Sequence, residues 1–486
     1  MTPTWYLVYQ LVLVRCDWVI LFYFVLVNAF YLVLLTSATW GLARQMLSQR
    51  EETRWRVLGS RLAPRISILA PAHNEAATIG QSVRSLLTLY YPNLELVLVN
   101  DGSSDETLAV LVKEFELIPI HPIYRQQVKT RPVRNLYVSR THPNLVVVNK
   151  ENGGKADALN AGVNFATGKL VCAIDADTLI EADALQRMVR PFLSSDDVVA
   201  VGATVRVANG SVAEHGRVVE PHAPRGALAG FQVVEYLRAF LFGRLGWNHL
   251  GDNLIISGAF GLFQRQAMIA IGGYEKATVG EDAELVARLR RSACEARRPH
   301  RVVFLPDSIA WTEAPESLRV LASQRDRWHR GLAEVLWRHR RLLLNPEYGA
   351  LGMVVYPYFL FVELLAPIVE ALGLVLFTLS LAIGAIDMPF AVLFFLCAYG
   401  YGLLLSLFAL LLDEVSYRRY EQLRDRFALL SWALLENLGY RQLTVFWRLK
   451  GLVRFLKGRT DWGVMERRGF LRRTAPEELA AGRRLS

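Results

Sequence analysis

Two hydrophobic regimes alternate along the chain. From Trp18 to Trp40 (WVILFYFVLVNAFYLVLLTSATW) 23 residues pass without a charge, enough for the roughly 20 apolar residues that cross a hydrocarbon core. The run predicts a spanning helix. The upstream stretch Thr4 to Val14 is apolar but is cut off by Arg15 and Asp17, which predicts an interfacial segment. No basic stretch precedes the run and no small-residue cleavage site clearly follows it, so a removable signal peptide is rejected.

From Arg65 to Arg341 the pattern changes to short β-rich runs ending in polar loops: Ile66 to Ala70, Leu94 to Val99, Leu145 to Val148, Leu170 to Ile174, Val198 to Val205 and Leu254 to Phe263. Helical stretches such as Ala76 to Leu89 and Lys155 to Ala166 lie between them. This alternation predicts an α/β domain with a mostly parallel central sheet and ligands at the carboxyl ends of its strands. Beyond it, Pro367 to Ile386 and Phe390 to Leu412 are two more uncharged runs around the turn Asp387-Met388-Pro389, a predicted transmembrane hairpin. Met353 to Ala366 carries Glu363 and flanking prolines and predicts an interfacial helix. Phe427 to Trp447 includes Glu436, Asn437 and Arg441, and an amphipathic or re-entrant segment is favoured over a span.

The expected organisation is therefore a membrane region at 1–43 with its span at 18–40, and a basic juxtamembrane linker at 44–64. The α/β domain follows at 65–341. The interfacial helix and hairpin (367–386, 390–412) occupy 342–412, and the amphipathic segment and basic tail occupy 413–486.

Composition sharpens this picture. The 486 residues are 52% hydrophobic and 21% charged, with 55 Lys and Arg against 45 Asp and Glu, a formal charge of +10. Arg44, Arg50, Arg54, Arg56, Arg61 and Arg65 directly follow the first span, and the positive-inside rule places that side in the cytoplasm. The tail basics, including Arg448, Lys450, Arg454, Lys457, Arg459, Arg467, Arg468, Arg472 and Arg473, belong to the same side, giving a multi-pass protein of the cell membrane with a cytoplasmic α/β domain. Basic residues beside spans fit anionic membrane lipid, which argues against a nucleic-acid partner. The four cysteines are scattered singly and read as small buried hydrophobes in a reducing compartment.

Five polar elements stand at strand ends or helix starts. Pro71-Ala72-His73-Asn74-Glu75 follows the first strand, and Asn100-Asp101-Gly102-Ser103 follows the second. A carboxylate with glycine and serine there can meet a base or ribose while backbone amides approach a phosphate, or it can be an ordinary βα turn. Asn152-Gly153-Gly154-Lys155 opens a helix as a phosphate cradle or a solvated N-terminus, without P-loop spacing.

Asp175-Ala176-Asp177 follows a wholly apolar strand. Two such carboxylates repel unless a cation joins them, and oxygen donors suit Mg²⁺ or Mn²⁺ with a diphosphate; solvated loop acids are the other reading. Gly280-Glu281-Asp282 can complement a helix dipole or supply a general base. Gln324, Arg327 and Trp328 share one helix face, where a cation and an indole can hold a diphosphate and a sugar ring, or the segment is a basic interfacial helix. His249 and Asp252, before Ser257-Gly258-Ala259-Phe260-Gly261, suit acceptor contact or loop packing equally. The Gly-, Pro- and His-rich stretch Arg206 to Gly230 reads as a mobile insert with His215 and His222 solvated.

In this order the five elements resemble the signature of processive family-2 glycosyltransferases, the membrane synthases of cellulose, chitin, hyaluronan and poly-N-acetylglucosamine. The poly-β-1,6-N-acetylglucosamine type is nearest in size and helix arrangement. The resemblance runs from about Arg65 to Gly331. Gln324, Arg327 and Trp328 match Gln-x-x-Arg-Trp fully, and Asp175 and Asp177 match the DxD. Glu281 and Asp282 match Thr-Glu-Asp with Gly280 in the first place, and Asn100 replaces an acid before Asp101.

The resemblance implies a GT-A fold flanked by transmembrane and interfacial helices, a UDP-sugar donor (UDP-N-acetylglucosamine or UDP-glucose favoured) and a divalent metal. It places Asp101 and Glu75 at the uridine and Lys155 by the nucleotide. Asp177 would bind the metal, with Asp175 supporting the ribose or the metal, and Asp282 would act as base. Glu281, Gln324, Arg327 and Trp328 would line the acceptor and diphosphate site. The acceptor is a growing polysaccharide, with transfer of one sugar to a lipid, or a catalytically silent transport or receptor module, as the alternatives. The sequence leaves open any partner subunit for export.

Overall fold

A computed structural model of the protein describes residues 3–48, 63–175, 178–214, 216–250 and 253–459. Ala176, Asp177, His215 and Asp252, the arginines at 50, 54, 56 and 61, and the tail beyond 459 lie outside the described residues, as does the side chain of His249.

The strands are Ile66–Ala72 (β1), Leu94–Asp101 (β2), Leu117–Ile120 (β3), Val133–Ser139 (β4), Leu145–Lys150 (β5), Leu170–Ile174 (β6), Leu179–Ile180 (β7), Val198–Val207 (β8), Val212–Glu214 (β9), Arg217–Glu220 (β10), Phe260–Gln264 (β11) and Arg301–Thr312 (β12). Ten of them form one sheet in the order β3-β4-β5-β2-β1-β6-β11-β8-β12-β7, and β9 and β10 form a hairpin. The centre, β5-β2-β1-β6, is parallel throughout, as is β8 with β12. Antiparallel β11 inserts between β6 and β8, and β3 and β4 close the far edge antiparallel. Every residue of β2, β6 and β8 is buried, as continuous apolar runs require in a sheet covered on both faces.

Alternation along each strand divides the core into two layers. Ile66, Ile68 and Ala70 face the helices Ile79–Leu87, Thr107–Glu114 and Ala184–Ser194. Leu69, Val97 and Val99 face Lys155–Phe165, Arg265–Ala270 and Glu281–Glu295. The fold is thus the expected α/β class with a parallel centre. Only the end of the run Leu254 to Phe263 is strand, and the expected mobile insert contains the β9-β10 hairpin. His222, expected in solvent, lies half-buried with Nδ1 3.0 Å from Asp425 Oδ2.

One helix, Pro3–Ser48, runs through Arg15 and Asp17 without a break, so the expected interfacial segment is part of the same helix. An α-helix satisfies its own backbone across a charged position, and Arg15 is exposed on its surface. Leu11–Arg44 and Met388–Ser416 are long and apolar enough to cross a membrane, and Leu351–Leu364 with Ala366–Ala382 makes a pair bent by 42° that could count as a third. Asp387 caps the hairpin's second helix, its Oδ1 accepting from Phe390 N at 3.0 Å. Leu423–Leu435 and Tyr440–Leu456 are separate helices of 13 and 17 residues, parted at Gly439, whose φ is 91°.

Candidate active site

The parallel strands end together, which brings their polar termini to one edge. Asp101 lies opposite Lys150 in the β2-β5 register, and both are buried. Asp101 accepts from Gly153 N at 3.0 Å and Gly154 N at 2.8 Å and pairs with the Lys150 ammonium. Lys150 also reaches Asp157 Oδ2 at 3.1 Å. Asp157, in the first turn of Lys155–Phe165, pairs with Lys276 and accepts from Arg131 N at 2.9 Å. Two carboxylates and two ammonium groups thus clamp the double-glycine loop. A Cβ on Gly153 would stand 2.6 Å from Asp157 Cγ, so only glycine fits the space. Glu75 lies in the loop after β1, its N–H donating to Thr107 Oγ1 at 2.9 Å and its Oε2 accepting from Thr78 at 3.0 Å.

The clamp aims Lys155. Its Nζ is 2.5 Å from Asp175 Oδ1 and 3.6 Å from Glu281 Oε1. Burial works against this ammonium, but Asp175 and Glu281 outweigh it and hold its pKa above the ordinary lysine value. Burial pushes Glu281 up to about 7, opposed by Lys155 and reinforced by Asp282.

Asp282 is held by two backbone donors, Gly258 N to Oδ2 at 2.7 Å and Ala283 N to Oδ1 at 2.9 Å, which leave lone pairs directed at the cavity. Gly280, the departure from Thr-Glu-Asp, has a packing reason. A Cβ there would be 3.2 Å from Gly331 Cα, and one on Gly331 would be 3.1 Å from Gly280 Cα. The two backbones touch, and the helix Leu318–Arg338 lies directly against the start of Glu281–Glu295. That helix starts at Ser317, whose Oγ accepts from Val320 N. It presents Gln324, Arg327 and Trp328 to the cavity. Gln324 Oε1 is buried without a hydrogen bond, and Trp328, 45% exposed, lies under the Arg325 guanidinium at 4.5 Å. Arg325 itself is bound to Glu235 at 2.7 Å.

All of these walls enclose one cavity of about 1460 Å³. Lys155, Asp175, Glu281, Asp282, Gln324, Arg327 and Trp328 line one end, and Tyr23, Asn28 and Glu370 of the apolar helices, with Arg441 of Tyr440–Leu456, line the other. Seven of the residues singled out in the sequence therefore meet. Asp101, Glu75 and the double-glycine loop are not on the cavity wall; Asp101 holds that loop, which leads directly into Lys155, a residue of the wall. Sequence reasoning missed Lys150, Asp157 and Gly331. For Gly331 a signal was present, because glycine inside a helix costs about 1 kcal/mol relative to alanine and so marks a close approach.

Two family models match this chain: Glycosyl transferase family 2 over residues 67–267 and Glycosyl transferase family group 2 over 170–405. Poly-beta-1,6-N-acetyl-D-glucosamine synthase of Staphylococcus aureus is 28% identical over 273 residues, 56% of each chain. The probable glycosyltransferase YdaM of Bacillus subtilis is 30% identical over 297 residues, 60% of each. The matched segments thus span little more than half of these relatives' lengths. A solved mannosyltransferase from Pyrobaculum calidifontis, in complex with GDP-Man and Mn2+, is 19% identical with a TM-score of 0.48, over 85% of this chain and 99% of that one.

Proposed function

From the matches to Glycosyl transferase family 2 over residues 67–267 and family group 2 over 170–405, we propose that the chain is a family-2 glycosyltransferase, a membrane-embedded, inverting enzyme. It moves a hexose from a UDP-sugar, UDP-N-acetylglucosamine or UDP-glucose, to the end of a growing β-linked polysaccharide. The observation that carries the polymer reading is the cavity. Its roughly 1460 Å³ exceeds the about 300–1,000 Å³ of ordinary small-molecule sites, and its far end is walled by Tyr23, Asn28, Glu370 and Arg441. Arg441 pairs with Glu370, Asn28 donates to the Cys397 carbonyl and Tyr23 to the Phe361 carbonyl; a polyhydroxylated chain can add hydrogen bonds to the remaining donor and acceptor positions of this polar wall, whereas an acyl chain would desolvate it and add none. That favours a polysaccharide over a lipid acceptor.

In this reading the acceptor hydroxyl rests against Asp282, which takes its proton as the oxygen attacks the anomeric carbon. The diphosphate departs on the opposite side, toward Lys155 and Arg327. One displacement inverts the anomeric centre and gives a β-linkage from an α-linked donor. Asp101 serves the nucleotide by holding the Gly153-Gly154 loop that leads into Lys155, with Glu75 in the loop after β1. Glu281 holds Lys155 in place, and Gln324 and Trp328 hold the acceptor.

Asp175, with Asp177, would hold Mg²⁺ or Mn²⁺. Asp175 and Glu281 converge on one cationic position, taken here by the Lys155 ammonium, and such oxygen donors suit a hard divalent ion. Bound there, the ion supplies charge neutralisation of the departing diphosphate. Residues 65–341 act on the cytoplasmic side, and the apolar helices guide the product through a multi-pass membrane region. Asp282→Asn tests the assignment: it is expected to abolish sugar transfer while UDP still binds, and a variant that synthesises polymer at near-normal rate removes Asp282 as base.

A further inference from the structure

The basic side chains around the cavity are mostly spoken for. Arg325 is bound to Glu235, Arg238 to Glu436, Arg441 to Glu370 at 2.9 Å, and Arg448 to the Glu363 carbonyl at 2.5 Å. Arg244 differs. It lines the same cavity, its Nη1 is buried without a hydrogen-bond partner, and among the described residues its guanidinium has no carboxylate within ion-pair distance. What holds it is an aromatic face. Its Cζ lies 4.1 Å from the Phe240 ring centroid, and Phe240 in turn stacks on Phe304 at 6.2 Å. A cation over a ring is fixed in place without spending any N–H, so the planar fork keeps its donors for something else.

The fork lines the cavity on a segment that packs against the apolar helices. Arg244 belongs to a widened π-type helical segment, Arg238–Arg244, which packs against the apolar helix Pro3–Ser48. Widened turns of this kind recur at functional sites. Asp282 is the carboxylate whose charge acts on Arg244, whereas Asp175 and Glu281, with Asp282, act on Lys155. Asp282 thus acts on two cations of the cavity, Lys155 and Arg244, the second on the segment that packs against Pro3–Ser48. Burial draws the Arg244 pKa down to about 10, opposed by Asp282 and then Tyr236, so the group stays charged at neutral pH.

We propose that Arg244 is an acceptor-binding residue, its guanidinium donating paired hydrogen bonds to neighbouring hydroxyls of the terminal acceptor sugar and presenting the attacking hydroxyl to Asp282. A planar fork of N–H donors matches two adjacent oxygens better than an ammonium does. The assignment rests on Asp282 marking the reacting end of the cavity and adds the side from which the acceptor arrives.

The test uses the full chain in lipid nanodiscs and three readouts: UDP binding, UDP release from a UDP-sugar without acceptor, and binding and elongation of short β-linked oligosaccharides of glucose and of N-acetylglucosamine. Arg244→Met is expected to weaken oligosaccharide binding by about tenfold to a hundredfold, as loss of a charged hydrogen bond does. The acceptor concentration for half-maximal transfer rises in step, while UDP affinity and acceptor-free UDP release change by less than about twofold. Arg244→Lys restores part of the acceptor affinity. Unchanged oligosaccharide binding in a variant that still binds UDP overturns the proposal. So does a loss confined to UDP affinity, which would assign Arg244 to the diphosphate. Should Arg244→Met fail to fold, Arg244→Gln is judged by the same criteria. If the wild-type protein releases UDP from no UDP-sugar, the donor assignment fails by itself, and direct oligosaccharide binding still decides the role of Arg244.

Discussion

Replacing Lys150 by methionine removes one charge from a set of four, three of them buried. The ammonium is fully buried, 3.1 Å from Asp157 Oδ2 and in contact with Asp101. At an effective dielectric of about 20, a pair at 3.1 Å attracts by about 5 kcal/mol before desolvation is counted. Breaking a buried pair leaves its partner charge uncompensated and costs about 3–5 kcal/mol net. Here Asp101 would keep only its backbone donors, while Asp157 would keep Lys276, so Lys150→Met is expected within that range. For a domain of this size the melting temperature falls on the order of 10 °C. The loss reaches the site, because Asp101 and Asp157 hold the Gly153 and Gly154 amides and the first turn carrying Lys155. Thermal unfolding in detergent, followed by tryptophan fluorescence, and UDP titration of the same samples would measure both effects. The double variant Lys150→Met with Asp101→Asn should recover a substantial part of the stability, because the carboxylate left without an ammonium is gone, but not the UDP affinity. A single variant as stable as the wild type with unchanged UDP affinity would refute the electrostatic clamp.

Three further expectations follow from close approaches and buried charge. Gly258→Ala places a Cβ 2.9 Å from Asp282 Oδ2 and 3.3 Å from Lys155 Nζ; the carboxylate can swing aside, so transfer should fall at least about tenfold with thermal stability nearly unchanged, as kinetics and melting curves would show. Gly331→Ala meets backbone at Gly280, 3.1 Å away, and should destabilise by about 1–3 kcal/mol as overpacking does, measured by chemical unfolding. His329 is buried beside Arg448, and burial followed by that guanidinium presses its pKa from 6.5 to about 3. A folded pKa below the unfolded one gives stability that is complete above pH 6.5 and drains as the pH falls toward 3, by up to about 1.4 kcal/mol per unit. His329→Gln should flatten that acid limb, and an unchanged stability-pH curve would exclude His329 as its source.

The central strands were legible because a strand buried on both faces reads as one apolar run, and the runs led straight to Asp101, Asp175 and the loop before Lys155. Arg301–Thr312 escaped notice because Pro306 and Asp307 interrupt its apolar pattern, at the irregularity between Leu305 and Ile309. β3 is a four-residue edge strand interrupted by Pro119, and β4 beside it is partly exposed, with polar positions that blur any period. Arg15 and Asp17 suggested a break that did not occur, because the helix satisfies its own backbone across both positions, with Arg15 exposed and Asp17 buried.

In the site, local motifs were readable and their couplings were not. Nothing in the sequence marks Asp157 in its helix's first turn, and its bonds to Lys150 and Lys276 depend on chain segments brought together by the fold. Gly280 appeared as a defect in a motif until Gly331 was found against it. Arg244 carried no signal in the sequence, because what distinguishes it is the lack of a partner in a crowded polar wall.

The most direct measurement is to supply membranes containing the protein with Mg²⁺ and a panel of UDP-sugars, following UDP release and the size of the product together. The account predicts release with UDP-N-acetylglucosamine or UDP-glucose, accompanied by a β-linked polymer, and loss of both on Asp282→Asn. A product carrying a single sugar on a lipid would contradict the polymer reading of the cavity, and no release from any UDP-sugar would contradict the donor assignment itself.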